Sequence, residues 1–206
     1  MKRQIGLALL MLVPVAAQAE EGRLMVRVRA VHISPADKSE AIPALGVPAD
    51  AIDVSSKTIP EVDFTYFFGR NLAAELILTY PQKHDVELSG TPLGSFKHLP
   101  PTLTLQYHFA PEGVFRPYLG AGVNLTLISD VNLAVPGVGE LDLEDSSFGM
   151  AGQAGCDVKL GQKLFLNADV KYVAIRSDVT LAASGQKVTA VKVDPWLIGF
   201  GLGYRF

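Results

Sequence analysis

The sequence has few of the features that hold a small soluble domain together. It contains 206 residues with one cysteine, Cys156, and 19% of them are charged, whereas about a quarter is usual for soluble domains. A single cysteine forms no internal disulfide, so the fold depends on a hydrophobic core or on the closure of a sheet. The low charge favours a chain that meets lipid.

The sequence also lacks a basic excess and a recognisable catalytic motif. Lys and Arg number 18 against 21 Asp and Glu, for a formal net charge of −3, which argues against a nucleic-acid partner. The histidines, His32, His84, His98 and His108, are scattered without metal-ligand spacing, and no serine lies in a Gly-x-Ser-x-Gly motif. We therefore expect no enzymatic activity, no bound metal and no cofactor.

Only the first nineteen residues contain a long apolar run. Lys2 and Arg3 precede the run at 5–15, and Ala17-Gln18-Ala19 has the small-x-small pattern of a processing site. This order predicts a cleaved signal peptide over residues 1–19 and an exported domain over residues 20–206. After Ala19 no run of eighteen apolar residues occurs, which excludes a helical membrane protein.

The exported part alternates polar and apolar residues with a period of two, which is the period of a strand. In each alternating segment one face has large apolar side chains, and the other has Gly, Thr, Asn and charged residues. The predicted strands are 23–33, 59–68, 72–80, 102–109, 117–129, 147–160, 164–172 and 196–206.

Short and long connections alternate between these strands. The short ones are 69–71, 110–115 and 161–163, and the long ones are 34–58, 81–98, 130–146 and 176–190. Short turns at one end and long loops at the other are typical of an all-β, eight-stranded antiparallel transmembrane barrel.

A soluble barrel of lipocalin type is the alternative to a membrane barrel. The aromatic residues argue against it, because Phe68, Phe109 and Phe206 each end a strand on the short-turn side, and a tyrosine lies two residues before each of them. This placement fits an aromatic girdle at a membrane interface.

Several motifs resemble the OmpW family of small outer-membrane barrels. They lie at 74–76, 83–85, 99–109, 115–124 and 194–206, so the resemblance covers the exported chain. It implies an eight-stranded barrel in the bacterial outer membrane, in a family thought to pass small hydrophobic molecules and in part exploited as bacteriocin receptors. Phe206 is similar to the terminal aromatic residue by which the barrel assembly machinery recognises its substrates.

The polar face predicts a charged cluster inside the barrel near the short turns. An eight-stranded barrel has room for little more than its own side chains, and paired buried charges avoid a large desolvation cost. We interpret the cluster as an ionic plug, with a proton or ion path as the alternative. The predicted plug residues are Arg27, Arg29, Glu75, His108, Asp157, Asp169 and Arg205.

Toward the long loops the inward face becomes apolar. The predicted mouth residues are Ile77, Thr79, Thr126, Ile128, Val173 and Ile175. The first and third loops add Ile42, Leu45, Val47, Ile52, Val54, Leu133, Val135, Leu141 and Leu143. This apolar content favours capture of hydrophobic molecules, and the alternative is that the strands extend beyond the membrane and pack there.

The sequence thus predicts a monomeric outer-membrane barrel that admits small hydrophobic molecules through an apolar mouth and releases them sideways into the membrane. Its expected partners are outer-membrane lipid, lipopolysaccharide, the barrel assembly machinery and the molecules it carries, and they include no nucleic acid. The alternative function is a structural or surface-interaction barrel, a receptor or adhesin, without transport.

Overall fold

The computed structural model describes residues 22–36, 38–39, 41, 48–135 and 137–206. The predicted signal peptide lies outside these residues, as do Ile42, Leu45 and Val47. Among the described residues no helix is long and apolar enough to cross a membrane. The strands are β1 (Leu24–Ser34), β2 (Lys38–Ser39), β3 (Ile52–Val54), β4 (Lys57–Phe67), β5 (Leu72–Leu78), β6 (Gln82–Leu88), β7 (Thr91–Leu99), β8 (Thr102–His108), β9 (Phe115–Val135), β10 (Gly139–Leu143), β11 (Ser146–Lys159), β12 (Leu164–Val173), β13 (Arg176–Leu181), β14 (Lys187–Lys192) and β15 (Trp196–Arg205).

Eight of these strands form a closed antiparallel barrel, in the order β1, β4, β5, β8, β9, β11, β12 and β15. The first and last strands close the ring, in register from Met25↔Arg205 to Ser34↔Trp196. Closure pairs the backbone groups that an open sheet edge would expose to lipid. The predicted eight-stranded architecture is confirmed.

The turns at one end of the barrel are short. They span residues 68–71, 109–114 and 160–163, and Gly22 and Phe206 lie at the same end. We call this the short-turn end. All the longer connections lie at the opposite end, as the sequence predicts.

The longer connections are not simple loops, because they contain seven short strands. Together with the far half of β9 these strands extend the sheet beyond the barrel as the outer arc, in the order β3, β6, β7, β9, β10, β13, β14 and β2. Its two ends meet where the Asp50 N–H donates to the Ser39 carbonyl at 3.0 Å and the Ser39 N–H donates to Asp50 Oδ1 at 3.1 Å. The sheet therefore continues beyond the barrel as a curved wall.

The barrel has its apolar side chains outside and its charges inside. Outward residues such as Phe148 and Ile198 are 71% and 61% exposed, whereas Arg27 and Glu75 are fully buried. Three tyrosine–phenylalanine pairs mark the short-turn end, with ring centroids 5.0–5.5 Å apart: Tyr66–Phe68, Tyr107–Phe109 and Tyr204–Phe206. This distribution suits a wall in contact with lipid and is the reverse of a soluble barrel.

Candidate functional site

Arg27 lies at the centre of the barrel and is fully buried. Its Nη1 is 2.9 Å from Asp63 Oδ1 and 3.3 Å from Glu75 Oε1, and its Nη2 is 2.8 Å from Asp157 Oδ2. These carboxylates project from β4, β5 and β11. One guanidinium from β1 thus connects strands from opposite parts of the wall.

A second tier of charges surrounds Arg29. Its Nη2 is 2.6 Å from Glu61 Oε1 and its Nη1 is 2.9 Å from Asp169 Oδ2. Lys171 Nζ bridges the same two carboxylates at 3.0 and 3.3 Å. The second tier lies farther from the short-turn end, because Arg29 and Glu61 are each two residues farther from that end than Arg27 and Asp63 on the same strands.

These two tiers fill the barrel cross-section, and we call them the plug. The structure brings together five residues of the predicted set, Arg27, Arg29, Glu75, Asp157 and Asp169. Each ion pair offsets the several kcal/mol that burying a lone charge costs. The plug also contains Glu61, Asp63 and Lys171, which the sequence places on the same polar faces but which the predicted set omits.

Two glycines on β15 make room for the arginine stems. A Cβ on Gly201 would overlap the Val28 carbonyl oxygen and lie 2.9 Å from Arg29 Cγ, and one on Gly203 would lie 3.1 Å from Arg27 Cγ. Both distances are too short for a comfortable contact. The polar face of β15 therefore needs glycine where the facing strand carries a buried arginine.

His108 and Arg205 lie below the plug, in an aromatic layer near the short-turn end. The His108 ring is 5.0 Å from the rings of Phe67 and Tyr118, and the Arg205 guanidinium is 4.1 Å from the centre of the Phe67 ring. Arg205 Nε also donates to the Gly22 carbonyl. The structure thus separates these two residues from the ion pairs with which the sequence grouped them.

Above the plug lies the lower cavity, with a volume of about 30 Å³. Glu61 and Lys171 form the polar part of its lining and are already paired with each other. The rest of the lining is mainly aliphatic: Ile33, Ile59, Ile77, Thr79, His98, Pro100, Thr102, Val173, Ile175, Pro195 and Leu197.

The upper cavity, of about 50 Å³, lies inside the outer arc. It is lined by Ile52, Val54, Val86, Leu93, Phe96, His98, Thr126, Ile128, Leu133, Leu141, Leu143, Ile175, Ser177, Val179, Val191 and Val193. Because His98 and Ile175 line both cavities, the two spaces are neighbours. We call the two cavities together the apolar path; their linings extend from the outer arc to Glu61 and Lys171 of the plug.

The six predicted mouth residues all line this path. Thr126, Ile128 and Ile175 contact the upper cavity, and Ile77, Thr79, Val173 and Ile175 contact the lower one. Of the predicted loop residues, Ile52, Val54, Leu133, Leu141 and Leu143 also line the upper cavity. His98 and Phe96 were not predicted from the sequence. Residues 81–98 turn polar side chains such as Gln82 and His84 inward, so the segment lacks the alternation of apolar and polar residues that marks a strand.

Two stacked histidines lie beside the junction of the cavities. The rings of His84 and His98 are 4.8 Å apart and 15° from parallel, and His84 Nδ1 is 2.7 Å from the Ser55 carbonyl. Burial lowers the pKa of His98 to about 3, with further lowering from the charges of His84 and Lys57. Burial also lowers the pKa of His84, so both rings are neutral at pH 7.

One ladder of the barrel wall is interrupted beside the lower cavity and resumes in the β6–β7 ladder at Gln82↔His98. The β5–β8 ladder runs from Leu72↔Tyr107 to Ile77↔Thr102 and ends there. Pro81 follows β5 and Pro100-Pro101 precedes β8, and proline supplies no N–H to a ladder. We call this break, between residues 79–81 and 100–101, the wall gap; Thr79 and Pro100 face the lower cavity at it.

Groups of three or more His, Cys, Asp or Glu suited to a metal ion do not occur in the part of the chain that the structure describes. The path is therefore built from apolar walls, neutral rings and paired charges, which can hold and orient an apolar molecule.

Comparison with known proteins gives a consistent family assignment. The model of the OmpW family matches residues 20–206. The chain is 35% identical to outer membrane protein W of Vibrio cholerae, over 97% of this chain and 95% of that protein. It is 29% identical to the dibenzothiophene metabolism operon protein PahQ of Pseudomonas aeruginosa, over 78% of this chain and 77% of that protein.

A solved structure agrees with these sequence matches. The outer membrane protein OprG from Pseudomonas aeruginosa superposes with a TM-score of 0.75 at 33% identity, covering 90% of this chain and 96% of that one. Taken with the closed, inside-out barrel, these matches show that the chain belongs to the OmpW family and is a β-barrel of the bacterial outer membrane.

Proposed function

We propose that this protein takes up small hydrophobic molecules through the upper cavity and releases them sideways into the outer membrane. The observation that carries the proposal is the pair of neighbouring apolar cavities above a plug of paired charges. Apolar walls favour a molecule that gains about 25 cal/mol for each Å² removed from water. The name of the relative PahQ associates that protein with the metabolism of dibenzothiophene, an apolar molecule.

The plug and the wall gap together support sideways release. The plug closes the direct path to the short-turn end, because ion pairs such as Arg27–Asp157 fill the cross-section. The wall gap borders the lower cavity where strand pairing stops and prolines flank the break. A molecule in the lower cavity thus has its shortest route to hydrocarbon through the gap.

The lipid-facing wall and the terminal residue support further parts of the proposal. The protein acts as a monomer, since its own strands close the ring and its outer face is covered by lipid and, in the outer leaflet, lipopolysaccharide. Phe206 serves as the signal for the barrel assembly machinery. Its side chain is 51% exposed at the short-turn end, where a partner can reach it.

The test places a charge in the path. Ile128→Asp in the upper cavity and Val173→Asp in the lower cavity should each slow uptake of a small hydrophobic tracer at least tenfold, because an unpaired buried carboxylate costs more than the 1.4 kcal/mol that a factor of ten represents. Uptake is measured in cells that carry equal amounts of heat-modifiable barrel in the outer membrane.

Val114→Asp is the matched control. Val114 is 57% exposed in the turn at residues 109–114 and lines neither cavity, so uptake should match wild type. Equal uptake by wild type, all three variants and cells without the protein would reject the uptake route and leave the receptor or adhesin function in its place.

A further inference from the structure

His98 is a polar residue placed where the two apolar cavities meet. It lies on β7, is 5% exposed and lines both the upper and the lower cavity. A molecule that passes from one cavity to the other must therefore contact its ring.

The His98 ring nitrogens form no hydrogen bond with any of the residues that the structure describes; the ring stacks on His84 and lies tilted against Phe96, with ring centroids 6.1 Å apart. Its neighbours also hold unpaired groups. Gln82, the cross-strand partner of His98, has a buried Oε1 without a partner, and His84 Nε2 is likewise unpaired. A buried polar group without a partner costs about 1–3 kcal/mol, so this corner of the path favours a ligand that supplies a hydrogen bond.

Thr126 and Ser177, the other uncharged polar side chains of the upper cavity, already have partners. Thr126 Oγ1 donates to Asn124 Oδ1 at 2.6 Å, and Ser177 Oγ donates to the Asp178 carbonyl at 3.3 Å. His98 therefore stands apart in this lining as a polar group left available to a ligand.

The chemistry of the ring defines the ligand class. A neutral imidazole has one donor and one acceptor nitrogen, and a hydroxyl group also donates once and accepts once, so an alcohol pairs with either tautomer. A carboxylate would need a cation, and none of the described residues that line the upper cavity is Lys or Arg. An alkane makes no hydrogen bond and leaves His98 unpaired.

Building on the uptake function proposed above, we propose that His98 is a specificity residue that favours apolar molecules with one hydroxyl group, such as long-chain alcohols and alkylphenols, over hydrocarbons of the same size. The apolar cavities bind the chain of the molecule, and His98 binds its hydroxyl as it crosses between them.

The experiment compares initial uptake of labelled 1-octanol and octane by cells that contain the full barrel, after subtraction of uptake by cells without it. His98→Phe keeps a ring against His84 and removes both nitrogens. It should lower the octanol-to-octane ratio about fivefold, the factor that corresponds to about 1 kcal/mol for one hydrogen bond; the ratio, rather than either rate alone, is the readout. His98→Gln, which keeps a donor and an acceptor, should restore most of the ratio.

His32→Phe is the matched control, since it makes the same substitution at an exposed histidine of β1 that lines neither cavity, and it should leave the ratio unchanged. If His98→Phe does not reach the membrane at the wild-type level, His98→Leu replaces it. If both probes are taken up but the His98→Phe or His98→Leu variant has the wild-type ratio, the role of His98 is rejected and the uptake function stands. No uptake of either probe by wild type rejects the uptake function itself.

Discussion

Arg27 Nη2 and Asp157 Oδ2 lie 2.8 Å apart inside the barrel, although 130 positions separate the two residues in the chain. Arg27 is on the first barrel strand and Asp157 on the sixth, so the pair spans the lumen rather than linking neighbouring strands. The plug therefore acts as a set of cross-braces, and it also seals the path between the outside and the short-turn end.

Arg27→Leu should destabilise the barrel and open the seal. The change leaves the buried carboxylates of Asp63 and Asp157 without their shared partner, and breaking a buried pair in this way costs about 3–5 kcal/mol. Urea unfolding of the refolded barrel should show that loss, and planar bilayers should show higher ion conductance. Removing Arg29 as well should increase both effects.

Arg70→Leu is the control for the plug. Arg70 pairs with Glu112 at 2.6 Å, but their side chains are 81% and 75% exposed, and such surface pairs contribute about 0–1 kcal/mol. Equal stability and conductance of the two variants would show that the buried ion pairs neither brace nor seal the barrel.

The hairpin of β6 and β7 should lose stability as the pH falls from about 6.5 toward 3. Its buried His98 has a pKa of about 3 against an ordinary value of 6.5, and burial shifts His84 in the same direction, with Lys57 opposing and Asp85 favouring its protonation. Between these values the unfolded hairpin binds a proton that the folded one excludes, so acid favours unfolding. Above pH 6.5 stability should be constant.

Hydrogen exchange of the β6–β7 amides, corrected for the intrinsic pH dependence, measures this effect. His98→Phe should flatten the profile because one of the two titrating rings is gone. A wild-type profile that is flat down to pH 4, or one that rises in acid, contradicts the prediction.

Replacing Pro100 and Pro101 by alanine should slow sideways release. Each substitution restores an N–H next to β8, so the β5–β8 pairing can extend past Thr102 and narrow the wall gap. Uptake of a hydrophobic tracer should fall severalfold, while a fluorescent apolar probe still binds in the upper cavity.

Pro92→Ala is the control for loss of a proline elsewhere, because Pro92 lies at the exposed end of β7. Its uptake should match wild type. Unchanged uptake in the Pro100→Ala, Pro101→Ala variant would show that molecules do not leave through the gap.

Phe206→Ala should reduce the amount of barrel in the outer membrane without weakening the folded protein. The Phe206 N–H donates to the Leu24 carbonyl at 2.8 Å, and alanine keeps that hydrogen bond. Membrane fractions should contain severalfold less of the variant, whereas the stability of barrel refolded in detergent should change little.

Phe109→Ala is a close match, because Phe109 is in the same girdle and has the same kind of tyrosine neighbour at 5.2 Å. Equal membrane levels of the two variants would show that the position of Phe206 at the end of the chain does not matter to assembly.

The barrel strands were predictable because lipid imposes a strict rule on them. Each must place apolar side chains outside at every second position, so segments such as 102–109 show their polarity directly. The strands of the outer arc follow no such rule. β6 turns Gln82, His84 and Val86 inward, and the mixed polarity of these residues hides the period of two; hence residues 81–98 were predicted as a loop.

The plug was predictable in part for a related reason. Charges on an inward face must pair, which points to Arg27, Arg29 and the acidic residues, but the sequence does not give the height of each side chain in the lumen. His108 and Arg205 consequently lie lower, against Phe67, an inward aromatic residue that the rule of polar interiors does not anticipate. The signal peptide at 1–19 stays a prediction.

β9 belongs to both the barrel and the outer arc. Its first half pairs with β8 and β11 in the barrel, and its second half, around Leu133, pairs with β7 and β10 in the outer arc. Exchange of the outer arc between related proteins therefore requires a junction within this strand. A junction that shifts the strand register by one residue would turn Leu133 out of the cavity. Insertions should therefore be tolerated best at the tips of the hairpins, such as Ser89-Gly90 between β6 and β7.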